Sequence, residues 1–146
     1  MINYHLAILR EPYIKAVLAG SKHIESRFSR TKRTPFRRVA RGDKIFFKVS
    51  SGPVCATATV KAVKNFDNLT PLRMAWLKQR YNHDIGGSSE YWQSKMDCSF
   101  GLLVWLESVE PIEPLRISKK DWRAWVVLTE KENFSLLQTS VIKKTP

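Results

Sequence analysis

Gly20-Ser21-Lys22-His23-Ile24-Glu25-Ser26-Arg27 is the stretch from which the fold of this 146-residue chain is read. Glycine closes helices by adopting the left-handed conformation, and the residues after Gly20 alternate polar with apolar. A helix therefore ends here and a strand begins. Period two places Glu25 and Arg27 on one face of that strand, with Ile24, Ser26 and Phe28 on the other. Lys22 lies three residues before Glu25, so it joins that face only through a backbone bend beside the glycine, which we expect. From Lys22 to Arg41 there are eight Lys or Arg residues and a single acid, Glu25. A lone carboxylate in so cationic a segment reads as the group that orients Lys22 and Arg27.

Outward from this segment, Tyr4 to Leu9 is a mostly apolar run that predicts a buried strand. Glu11-Pro12 opens a helix whose apolar face is Ile14, Val17 and Leu18, ending at Gly20. Downstream, Ser29 to Arg41 carries Pro35 and most of the charge, and reads as an exposed basic loop partly ordered by Phe36 and Val39. Gly42-Asp43 turns the chain into a strand over Lys44 to Val49. Ser51-Gly52-Pro53 then leads to a long strand from Val54 to Val63, which should pair with its predecessor and whose alanines predict a crowded concave side. Thr70-Pro71 caps a helix running to about Asn82, and Gly86-Gly87 breaks it. Residues 88–95 are balanced between a short helix and a loop. Phe100 to Val109 predicts a strand ended by Pro111 and Pro114, and Trp122 to Leu128 a final strand. The sum is an α+β fold, a small mainly antiparallel β-barrel with a short helix before the Gly20 segment and a longer mid-chain helix. One domain spans 1–128. Residues 129–146 form a C-terminal extension, docked through Phe134, Leu136 and Leu137 and frayed at its end.

The formal charge of +12 and pI near 10.0 attract polyanions, for which nucleic acid, a phosphate-bearing ligand and an anionic surface are the generic candidates. Arg10 and Glu11 interrupt the early apolar run, and no stretch approaches the ~20 apolar residues of a membrane helix, so neither a signal peptide nor a membrane span is expected. Cys55 and Cys98 lie in apolar surroundings without metal-ligand spacing and read as reduced core residues of a cytoplasmic protein. His5, His23 and His83 share no ligand spacing, and there is no phosphate-cradling glycine loop or serine-hydrolase elbow. No metal and no cofactor are expected.

Gly20, Lys22, Glu25 and Arg27 stand at the fixed positions of G-x-K-x-x-E-x-R, the signature of the ASCH domain, a branch of the PUA-like superfamily. The chain resembles that family over roughly residues 4–128: an early strand, a short helix ending at the signature glycine, a G-D pair before a strand, then a mid-chain helix and a late strand. The resemblance implies a PUA-like barrel with a cleft beside the signature segment and a role in binding RNA or other nucleic acid. Some members resemble enzymes instead, among them small amidohydrolases acting on acylated cytidines and proposed ribonucleases. In the amidohydrolase-like members a threonine fills the position of Glu25, so this chain lacks that hydroxyl.

We therefore expect a nucleic-acid-binding module that takes RNA, single-stranded DNA or a nucleotide-like anion. Lys22, Glu25 and Arg27 line its nucleotide-sized cleft, while Arg30, Lys32, Arg33, Arg37, Arg38 and Arg41 of the basic loop contact phosphates. Tyr91 with Lys95, and Trp122 with Arg123, combine flat side chains with cations and are candidates for stacking on bases. At least three of the five tryptophans should be structural, and alternation puts Trp122 and Trp125 on opposite faces, so at most one meets a cleft. Lys48 and Ser50, at the end of a strand, are further candidates. The alternative is a metal-independent hydrolase, acting on a modified nucleoside or on RNA, with Lys22 and Glu25 as its catalytic pair. Glu25 in place of threonine favours binding over catalysis.

Overall fold

The computed structural model describes residues 1–117 and 123–129. Its elements run β1 (Tyr4–Leu9), α1 (Glu11–Ala19), β2 (Ile24–Ser29), β3 (Lys44–Val49), β4 (Val54–Phe66), α2 (Pro71–Ile85), α3 (Ser89–Lys95), β5 (Phe100–Leu115) and β6 (Trp125–Val127). The strands form one curled sheet in the order β2-β5-β4-β3-β1-β6. All neighbours are antiparallel except β1 and β3, which pair in parallel with Tyr4 opposite Lys44. The α+β class and the mainly antiparallel pairing are as expected from the sequence, and the expected small barrel is found as a six-stranded, curled half-barrel. The docked and frayed tail expected beyond residue 129 lies outside the described residues, as does Trp122, while the last strand, expected from Trp122 to Leu128, is shorter and runs Trp125–Val127.

The bend after α1 arises as the glycine predicts. Gly20 is left-handed (φ 81°), and the amides of Ser21 and Lys22 both donate to the Ala16 carbonyl, folding the chain back over the helix end. Pro71 starts α2 behind Thr70, whose hydroxyl accepts from the Arg73 amide. That helix continues one turn past the expected end, to Ile85, where Gly86 takes up φ 72°. Residues 89–95 resolve as helix, because Ser88 caps the Tyr91 amide and Trp92 is anchored by its indole N–H to Asn82 Oδ1 (2.8 Å).

The double proline does not end β5, which is a correction to the sequence reading. The strand stays paired with β4 as far as Val54 opposite Leu115. Over its second half β4 is its sole partner among the described residues, since β2 covers only Phe100–Trp105. Prolines are tolerated where one side of a strand carries no ladder and where bulges break the register, as they do three times between β4 and β5.

Ala56, Ala58 and Val60 of β4 are fully buried on the concave side with Ala7, Leu102, Val104 and Trp125, roofed by Ile14 and Val17 of α1. This is the crowded face that the alanines predict. The opposite face of β2 and β5, with Ile24, Phe28 and Leu103, packs on α2 and α3 through Met74, Leu77, Ile85 and Trp92. Of the tryptophans in the described residues, Trp92 and Trp125 are buried, Trp105 packs against the second core and Trp76 is 51% exposed.

Where β2 meets β5, the Phe28 ring lies over Gly101, and a methyl added there would collide with Cδ1 and sit 2.8 Å from Cε1. Gly101→Ala should therefore destabilise the protein by roughly 1–3 kcal/mol in urea denaturation. A change within about 0.5 kcal/mol, the spread of ordinary surface substitutions, would show that the ring moves aside freely.

Candidate nucleic-acid interface

The curled sheet leaves a gap between its two ends, β2 on one side and β1 with β6 on the other. A cleft of about 910 Å³ opens in this region, lined by the end of β1, α1, β2, the basic loop around Arg33–Phe36, and α3. Arg27 spans the gap. Arg27 Nη2 donates both to the Ile8 carbonyl of β1 (3.1 Å) and to Glu25 Oε2 (3.0 Å), while its guanidinium lies 5.2 Å from the ring centre of Trp125 in β6.

Glu25 and Lys22 form the floor, 3% and 4% exposed. Glu25 Oε1 accepts from the Ser26 amide (3.1 Å) and lies 3.5 Å from Lys22 Nζ. Burial pushes the Glu25 carboxyl up, but Arg27 and Lys22 outweigh it and hold the group below the usual glutamate value. Lys22 Nζ also donates to the carbonyls of Ile24 (2.8 Å) and Ile85 (2.6 Å). Burial lowers the lysine from its ordinary value, opposed by Glu25. Three acceptors surround Nζ, and only the ammonium form has three hydrogens to offer them. The Ile85 carbonyl belongs to the C-terminal end of α2, where the helix dipole also favours a cation.

Ser26 faces away from Glu25, as alternation requires, and its hydroxyl lies 2.7 Å from that of Tyr91 in α3. Burial raises the Tyr91 phenol above its ordinary value. Lys95 Nζ sits 5.6 Å from the centre of the same ring.

The structure brings seven of the expected residues into the cleft lining: Lys22, Glu25, Arg27, Arg33, Tyr91, Lys95 and Arg123. Arg30, Lys32, Arg37, Arg38, Arg41, Lys48 and Ser50 do not line it. Arg30 pairs with Asp97, Arg37 pairs with Asp67 (3.1 Å), and Lys32 lies 5.9 Å from the Phe100 ring centre. Lys48, on β3, donates from Nζ to the Val49 carbonyl (3.2 Å). Phe36 and Val39 are buried and order the basic loop as expected, the Phe36 ring standing edge-on to Phe100 at 5.4 Å. Trp122 lies outside the described residues.

Sequence reasoning missed Arg10, Tyr13 and Trp125 as cleft residues. Trp125 was within reach, because the alternation argument admits one of the two late tryptophans. Arg10 follows directly on β1, where a charged residue ending an apolar strand is itself a signal.

The ASCH domain family model matches residues 8–137. The chain belongs to the ASCH domain family. Among solved structures, ASCH from Zymomonas mobilis superposes with a TM-score of 0.69 at 18% identity, over 92% of this chain and 94% of that one. A substituted variant of the same Zymomonas protein gives 0.68 at 18% identity over 92% and 96%. The N-terminal domain of Staphylothermus marinus McrB gives 0.51 at 13% identity over 90% and 91%. A search of curated proteins finds no significant match. At such identities the likeness is one of fold, the curled, mainly antiparallel half-barrel with its three helices. Among the described residues, no helix is long and apolar enough to cross a membrane.

Because the folded-state acidity of Glu25 is enhanced, the native protein binds fewer protons than the unfolded chain, and stability is lost as pH falls through the native value. Thermal denaturation should show a decline below the ordinary glutamate value of about 4.3. Glu25→Gln should remove that part of the acid slope and cost roughly 3–5 kcal/mol at neutral pH, by leaving buried cations uncompensated. An unchanged melting temperature in the variant would show that the cluster contributes nothing.

Proposed function

We propose that this ASCH domain is a nucleic-acid-binding module, with RNA favoured over single-stranded DNA, whose cleft accepts a nucleotide while surrounding cations hold backbone phosphates. The observation that carries this reading is the composition of the cleft. Six cationic side chains, Arg10, Lys22, Arg27, Arg33, Lys95 and Arg123, face two carboxylates, Glu25 and Glu90, and Tyr13, Phe36, Tyr91 and Trp125 supply aromatic surface. Its volume lies at the upper end of the roughly 300–1,000 Å³ typical of clefts that take small ligands. Bases stack on aromatic rings whatever their sequence, and cations track the backbone.

The fold supports RNA through its PUA-like kinship, which is a fold-level analogy. The hydrolase reading needs Lys22 to act as a base, and its ringed ammonium has no free lone pair to take a proton. The two free cysteines suit a reducing, cytoplasmic setting.

Fluorescence anisotropy with a short labelled oligouridylate tests the proposal. If the four rim cations Arg10, Arg33, Lys95 and Arg123 each neutralise a phosphate, log affinity should fall against log salt with a slope near −3. Arg33→Ala and Lys95→Ala should each shallow that slope, whereas Arg37→Ala, already paired with Asp67, should change it less. Affinity independent of salt, or equal losses from Arg33→Ala and Arg37→Ala, would place the nucleic acid elsewhere.

A further inference from the structure

Behind Trp125 lies a chain of buried polar contacts that the cleft itself does not display. The Trp125 indole N–H donates to His5 Nδ1 (3.0 Å), and His5 Nε2 lies 2.8 Å from Asp43 Oδ2. An indole N–H can only donate, so Nδ1 must be the bare nitrogen, and the neutral ring carries its hydrogen on Nε2, which it donates to Asp43. The carboxylate is satisfied further by the amides of Asn3 on Oδ1 (3.1 Å) and Ala40 on Oδ2 (3.0 Å). His5, Asp43 and Trp125 are all at most 2% exposed. The strand register explains the meeting: Trp125 pairs with Ala7 and Val127 with His5, so His5 sits diagonally from the indole on the same face of the sheet, ring centres 5.6 Å apart.

We propose that Asp43, His5 and Trp125 act as a positioning relay for Arg27. Asp43 fixes the His5 ring, His5 fixes the tilt of the indole, and the indole face holds the guanidinium in the cleft. None of the three relay groups needs to touch a ligand through its polar atoms. The same carboxylate grips the Ala40 amide, so the end of the basic loop and the guanidinium are set by one buried group. The relay demands a neutral imidazole, because a doubly protonated ring has no acceptor for the indole. Asp43 is the charged group that faces His5 among the described residues, contributed by the turn before β3. Trp125 faces it from β6, and β3 places Ile45 opposite. Burial pulls the His5 ring below the ordinary histidine value, against the opposing pull of Asp43.

This inference rests on the cleft being a nucleic-acid site only for its affinity arm, and the other arm is independent of any ligand. In the full chain, the Arg27 Nε–H and Trp125 indole N–H resonances are followed by NMR from pH about 7.5 to about 4.5, spanning the histidine range but above most carboxylates. Both should shift together with one midpoint below about 6.5. In Trp125→Phe, which keeps a ring under the guanidinium but removes the donor, the Arg27 shift should lose that midpoint. In His5→Gln, which offers an acceptor and a donor from one amide, the Trp125 resonance should stay hydrogen-bonded and the pH dependence should vanish. Oligouridylate affinity of the wild type should drop about fivefold across the same midpoint, the scale of one lost hydrogen bond, and stay flat in His5→Gln. An Arg27 resonance without that midpoint in the wild type, or with the same midpoint in Trp125→Phe, overturns the relay. A wild type that binds no oligouridylate yet shows coupled resonances overturns the nucleic-acid reading and leaves the relay standing.

Discussion

A buried carboxylate is tolerable only when its charge and its lone pairs are both answered, and Glu25 sets that condition for everything around it. Lys22 reaches it because Gly20 turns the chain back at the end of α1, and Arg27 reaches it because a strand returns to the same face every second residue. Each cation then does a second task. Lys22 fastens the last carbonyl of α2 to β2, and Arg27 fastens β2 to the backbone of β1. The cluster thus ties a helix end and both ends of the sheet to one carboxylate.

The cleft is a by-product of how the sheet closes. Among the described residues, six strands in the order β2-β5-β4-β3-β1-β6 leave two edges facing one another, bridged by a guanidinium rather than by a ladder. A ladder would have filled the space with backbone hydrogen bonds. A side-chain bridge leaves room, polar walls and exposed donors, which is why the opening and the charge lie together.

Local chemistry made much of this legible in the sequence. Gly20, the alternation of Ile24 to Arg27, Thr70-Pro71 and the β-branched runs specify elements through neighbours a few residues away, and those elements stand where they were expected. What escaped depends on partners far along the chain. Pro111 and Pro114 read as a stop because the sequence does not show that, among the described residues, this half of β5 has one neighbouring strand. Arg30 and Arg37 read as free cations because Asp97 and Asp67 lie 67 and 30 residues away. Gly42-Asp43 reads as a turn, and nothing local announces that its carboxylate is a buried hub for Asn3, His5 and Ala40.

The double duty of Arg27 Nη2 limits what this arginine can say to a ligand. A guanidinium grasps a flat, two-oxygen group through one of two parallel pairs of N–H bonds, Nη1 with Nη2 or Nε with Nη2, and both pairs include the nitrogen already committed to Ile8 and Glu25. What remains are single-nitrogen contacts from Nη1 or Nε. Arg27 therefore reports the presence and position of negative charge but is blind to the planar shape that separates a carboxylate from a phosphate. Any discrimination by shape falls to the hydroxyls and rings around it, Tyr91 foremost among them.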